Sequence, residues 1–205
     1  QNPTSSTAMR FEMTRGKCLI IAYRGSRTGL SFHQKYFSEK NYASIEALHQ
    51  ILERIIFPKL FSKNEQFKIE QEDYFFLRYW MSRTPNEVTI PFYDRETFFD
   101  SYGKFFIYGD KKERIPDHIR TFNKVGWAYG YLTDVSYIVD LKKEIEFFLT
   151  ATISVNKNQI FNDDNYEYET IGLPFLSRLG KVVYDYEVQR ERAVKPDLSK
   201  FKIEY

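Results

Sequence analysis

Two hydrophobic periodicities divide the chain. From Ser44 to Phe57, apolar residues recur at helical spacing (Ile45, Leu48, Ile51, Leu52, Ile55 and Ile56), behind a serine suited to an N-cap. Pro58 limits that helix. A second helix is predicted over Glu70 to Ser82, where Ile69, Tyr74, Leu77, Tyr79, Trp80 and Met81 accompany acidic residues suited to a first turn. Arg83 to Pro91 reads as a proline-containing connection, and the aromatic-rich stretch Arg95 to Tyr108 as a short helix ending at Gly109. The pattern then shortens to strand period. One strand runs from Arg120, led in by Thr121-Phe122 and closed by Tyr129-Gly130. Val135–Asp140 and Phe147–Val155 read as two more. Asn156 to Tyr168 is a polar, acidic loop. Leu173 to Ala193 is a final amphipathic helix, with Leu176, Leu179, Val182, Val183, Tyr186 and Val188 as its apolar stripe.

Upstream, residues Gln1 to Ala8 are polar and rich in Ser and Thr. Arg10 to Tyr23 suggests one or two strands, and Arg24 to Gly29 a turn. The domain reading is therefore an N-terminal lead-in over 1–40, with one or two strands and a loop, and a sheet-bearing part over 41–205. Helix, helix, three strands and helix in that order, with tight links between strands, predict an α+β fold: an antiparallel sheet covered by helices.

Composition narrows the function classes. The 205 residues can bury a substantial core. Charged residues make up 28% of the chain with the signs intermixed, and the net charge is only +2, so no long-range field recommends nucleic acid or an anionic membrane as partner. No apolar run approaches the ~20 residues of a membrane-spanning helix. The single cysteine, Cys18, sits in an apolar run and reads as a buried small hydrophobe. The chain begins at Gln1 with no visible leader, so the expectation is a processed protein or a piece of a longer one.

The candidate chemistry centres on Lys124-Val125-Gly126. A cation followed by glycine on a sheet edge sets a fixed positive charge beside backbone stripped of a side chain. An anionic or carbonyl-bearing substrate can lie against such a strand. The bland reading is a solvent-facing lysine with Gly126 marking a bulge.

The motif Asn123-Lys124-Val125-Gly126, the stretches Tyr129-Gly-Tyr-Leu-Thr-Asp134 and Asn162-Asp-Asp-Asn-Tyr-Glu-Tyr168, and the whole element order carry a resemblance. Residues from about 40 onward resemble the C-terminal half of the serine β-lactamase and penicillin-binding-protein superfamily, in particular bacterial serine hydrolases related to class A β-lactamases. The resemblance implies hydrolysis of an amide or ester through a serine acyl-enzyme, without metal or organic cofactor, at the cell envelope or periplasm. Lys124 would be the cation of the third active-site motif. Gly126 would keep the strand surface open to substrate, and the backbone N–H of Trp127 would donate to the oxyanion. Val125 stands where a substrate-binding hydroxyl is usual, which favours a peptide or ester over a β-lactam.

The nucleophile does not fit the pattern. Ser101-x-x-Lys104, Ser154-x-x-Lys157 and Ser199-x-x-Lys202 match the letters of the nucleophile motif, and Ser154-Val-Asn156 matches those of the second motif, but none has the right place in the order. They read as chance, with the serine outside this chain, and the chain alone as inactive. The missing N-terminal part of the same protein is then an expected partner alongside the acyl substrate. The alternative is a non-catalytic binding module that keeps the cleft without a nucleophile.

Other constellations add little. His33, His49 and His118 lack metal-ligand spacing, and Asn162 to Asn165 reads as a solvated loop in preference to a calcium site. Glu144 and Glu146 read as one face of a turn or strand start. Tyr102 to Tyr108 reads as a core-packing strip before a nucleotide- or sugar-stacking surface.

Overall fold

The computed structural model describes residues 43–205, together with the backbone of two strands, β1 (Ala8–Thr14) and β2 (Lys17–Tyr23). The predicted lead-in at 1–7, the loop at 24–29, the side chain of Cys18 and His33 lie outside the described residues. The fold is α+β. α1 (Ile45–Ile56) and α2 (Gln71–Ser82) precede β3 (Ile119–Ala128), β4 (Tyr131–Asp140) and β5 (Ile145–Ser154), and α3 (Leu173–Gln189) follows. The five strands form one sheet in the order β1-β2-β5-β4-β3. β3, β4 and β5 make the expected antiparallel meander, and β2 extends it by pairing parallel to β5. Among the described residues β3 is therefore an edge strand.

Each face of the sheet carries its own core. On one face Leu52 and Ile56 of α1 pack with Phe122, Tyr137, Val139 and Phe148, and Phe201 near the C-terminus closes the cluster. On the other, Leu173, Leu176 and Val183 of α3 pack with Leu132, Ile138, Leu149 and Ala151. Local signals set the helix ends as the sequence suggests. The Ser44 hydroxyl accepts from Ala47 N at 3.0 Å, and Glu70 N donates to Asp73 Oδ2 at 2.9 Å in a capping box.

Four expectations are corrected. The stretch 95–108 is a series of turns, not a helix. Its buried Asp100 and Lys104 bond to other segments, and Ile107 takes a left-handed φ of 71°, which helical backbone excludes. β3 stops at Ala128: Tyr129 and Gly130 (φ 54° and 81°) are the two central residues of a hairpin turn of the primed type, whose twist suits the flanking strands. β4 begins at Tyr131, four residues earlier than its hydrophobic run suggests, because polar Thr133 and Asp134 are paired within it. α3 ends at Gln189, where Arg190 turns extended and bonds back to Glu187.

The buried face of α3 also differs from its apolar letters. It comprises Leu173, Leu176, Ser177, Gly180, Val183 and Glu187, while Val182, Tyr186 and Val188 are exposed. Gly180 lets the helix approach the 105–107 turn. A Cβ there would sit 2.5 Å from Ile107 N and 2.7 Å from Phe106 Cβ. Gly180→Ala is accordingly expected to cost about 1–3 kcal/mol through overpacking, read as a lowered urea midpoint. An unchanged midpoint would show that the turn yields freely.

Candidate functional site

The direction of each backbone amide on β3 follows from the hairpin. In a two-residue hairpin the flanking pair, Ala128 and Tyr131, exchanges hydrogen bonds, so Ala128 faces β4. Alternation then turns Gly126, Lys124 and Phe122 toward β4, and turns Trp127, Val125, Asn123, Thr121 and Ile119 toward the side of β3 away from β4. Two observed bonds agree with this parity: Ile119 N donates to Pro116 O at 2.8 Å, and Thr121 O accepts from Lys104 Nζ at 2.8 Å. The backbone N–H of Trp127 thus faces the sheet margin.

Side chains alternate as well. Phe122 packs in the α1 core and Val125 against the α3 core, which puts Lys124 and Gly126 on the α1 face, and Val125 and Trp127 on the α3 face. Lys124 is exposed, and its amine curls to the margin to donate to Val125 O at 2.6 Å. Beside it the face is bare. A Cβ on Gly126 would meet nothing nearer than Thr133 Cβ at 3.6 Å. The surface there is polar, with Thr133 and Thr152 hydroxyls bonded at 2.6 Å. Val125 offers backbone to the margin, since its side chain is committed to packing. Two clefts lie elsewhere and are not lined by residues 124–127. One of about 500 Å³ is bordered by Tyr137, Glu146, Arg190, Arg192 and Lys195, and one of about 400 Å³ by Arg95, Lys112, Arg114 and Arg120. Beside the first, Glu187 pairs with both Arg190 and Arg192; the Tyr137 hydroxyl donates to Glu146, and burial, helped by that carboxylate's charge, pushes the phenol's pKa well up.

The Ser-x-x-Lys matches are structural. Ser101 is buried, and its hydroxyl donates to Lys111 O. Lys104 is buried too, and its ammonium donates to three acceptors: Met81 O (2.5 Å), Thr121 O (2.8 Å) and Asn123 Oδ1 (2.7 Å). Asn123 passes the link on through Nδ2 to Asp134 Oδ1 at 2.9 Å, and Asp134 also accepts from Ser136 and from Phe105 N. Burial pulls the Lys104 amine down to about 7 and pushes the Asp134 carboxyl up to about 6, while their mutual attraction opposes both shifts. Sequence reading passed over this network. The available signal was the coincidence of Ser101, Lys104, Asn123 and Asp134 in otherwise apolar surroundings. Ser154 ends β5, and Ser199 opens a 3₁₀ turn.

His49 is buried, with Nδ1 2.7 Å from Thr150 Oγ1, which fits the packed histidine expected. Residues 162–165 form an exposed loop, and among the described residues no group of three His, Cys, Asp or Glu side chains could hold a metal. Among them, too, no helix is long and apolar enough to cross a membrane. No family model matches the chain, and neither a curated protein nor a solved structure matches it.

Proposed function

We propose that this chain is the sheet side of a serine acyl-transfer site, with the β3 margin receiving the acyl group. The observation that carries the reading is the coincidence at one margin of a backbone N–H (Trp127), a bare position (Gly126) and an exposed amine (Lys124). An extended acyl group pairing with Val125 and Trp127 would set its carbonyl oxygen against the Trp127 N–H, and that donor would then stabilise developing negative charge. Lys124 would swing from Val125 O to hold a carboxylate or ease proton transfer. A serine from outside the chain would attack the carbonyl carbon, its proton passing through a base to the leaving group. Water would then hydrolyse the ester and regenerate the serine. On this reading the parent protein works at the bacterial cell envelope.

A second reading, a binding module that grips extended chains without cleaving them, draws on one observation. The Ser101 hydroxyl is bonded to Lys111 O, and the buried Lys104 ammonium to Met81 O, Thr121 O and Asn123 Oδ1, which leaves that pair no catalytic role. One experiment separates the two. The natural gene product, including whatever its gene encodes before Gln1, is treated with a fluorophosphonate or penicillin probe. Labelling of a serine outside residues 1–205 is the expected result. No labelling favours the binding module, and labelling of a serine within residues 1–205 refutes the assignment of roles.

A further inference from the structure

We propose that the acyl donor taken by the β3 margin carries an aromatic side chain, received on a shelf formed by Tyr102 and the indole of Trp127. This inference rests on the acyl-transfer reading above and specifies its substrate class. The two rings lie 6.0 Å apart, and each is 40% exposed. Their inner sides are fixed. Trp127 meets buried Phe105 edge-on at 5.6 Å and Tyr168 at 5.5 Å, while Tyr102 meets Phe98 at 4.9 Å. Tyr168 in turn accepts from Gly130 N at 2.7 Å, which ties the shelf to the β3–β4 hairpin. Rings held on one side and open on the other form a surface that needs no rearrangement to take a third ring.

Strand geometry brings a ligand to that surface. A chain paired with Val125 and Trp127 projects successive side chains to opposite faces of the sheet. One of each adjacent pair must point to the α3 face, where the Trp127 indole and Tyr102 stand. The next points to the α1 face, over Gly126 and beside Lys124, where polar surface and an amine suit a carboxylate or amide. The margin therefore distinguishes its two sides, aromatic on one and polar-cationic on the other.

The test measures kcat/KM of the natural gene product on p-nitrophenyl phenylacetate and p-nitrophenyl acetate. The expected wild-type preference for the phenylacetyl ester is roughly 10- to 100-fold, the worth of burying one ring. Tyr102→Ala is expected to lower that ratio at least about fivefold and Tyr102→Phe to retain it, because the ring face and not the hydroxyl makes the contact. Thermal melting confirms that both variants fold. A wild-type ratio near one, or a ratio unmoved by Tyr102→Ala, overturns the shelf and leaves the acyl-transfer reading standing. Equal loss in both variants overturns it in favour of a hydroxyl contact. Failure to turn over either ester sinks the parent reading and this inference together.

Discussion

On the acyl-transfer reading, Lys124→Ala in the natural gene product is expected to lower kcat/KM by about 10²–10³, a range typical of a lost electrostatic contact to the reacting group. Its melting temperature should move by no more than about 2 °C. The two halves of this prediction have separate physical grounds. The Lys124 side chain is exposed, and its bond to the carbonyl of its own neighbour is open to replacement by water. Folding therefore loses almost nothing when it is truncated. In an acyl-transfer site the same amine would stand beside the margin to which Trp127 presents its N–H, where water is displaced by substrate and a charge counts for more. Lys124→Arg keeps the charge but not the point geometry of the amine, so only partial recovery is expected. A variant with normal turnover would remove Lys124 from the site and leave the solvent-facing reading.

How much of this was legible in the sequence depends on which force set each element. Helices with clear caps and the β3–β4–β5 meander could be read, because local signals and burial agree there. β3 as a margin strand was read from Lys124 and Gly126, yet the outward direction of the Trp127 N–H needed the hairpin, and with it the φ values of Tyr129 and Gly130. The 95–108 stretch misled because its aromatics repeat at near-helical intervals. Its conformation is dictated instead by buried polar groups that bond to distant segments, which no periodicity reports. The stripe on α3 misled for a related reason: Ser177 bonds to Ile107 O, Gly180 admits a close approach, and Glu187 takes two arginines, so three positions without apolar letters lie inside. Polarity patterns identify what avoids water, and they miss polar groups that have been given partners.

The largest stability loss is expected at Lys104. The amine has three protons and three acceptors, and the amide of Asn123 uses both its N–H groups, on Gly103 O and Asp134. Lys104→Met keeps the stem's bulk but orphans two carbonyls and one amide oxygen in the interior, and leaves Asp134 buried without its cation. The expected cost is about 3–5 kcal/mol, measured by urea unfolding. Asp134→Asn in that background should add much less than it costs alone, because the two substitutions break one network. Acidity gives a second readout. The folded-state value of Lys104 lies at about 7, below its ordinary 10.5, so between those limits the unfolded chain binds the extra proton. The wild type should therefore gain stability relative to Lys104→Met as pH rises through that window. Below about 7 the penalty of the buried ammonium is fully present. Asp134, raised to about 6 from 3.8, acts with the opposite sign: its proton stabilises the fold at low pH, and that contribution fades as pH climbs through 6. A stability difference between wild type and Lys104→Met that stays flat from pH 7 to 10 would mean the amine is hydrated. The three carbonyl and amide contacts would then be too weak to hold the 101–105 turn against β3.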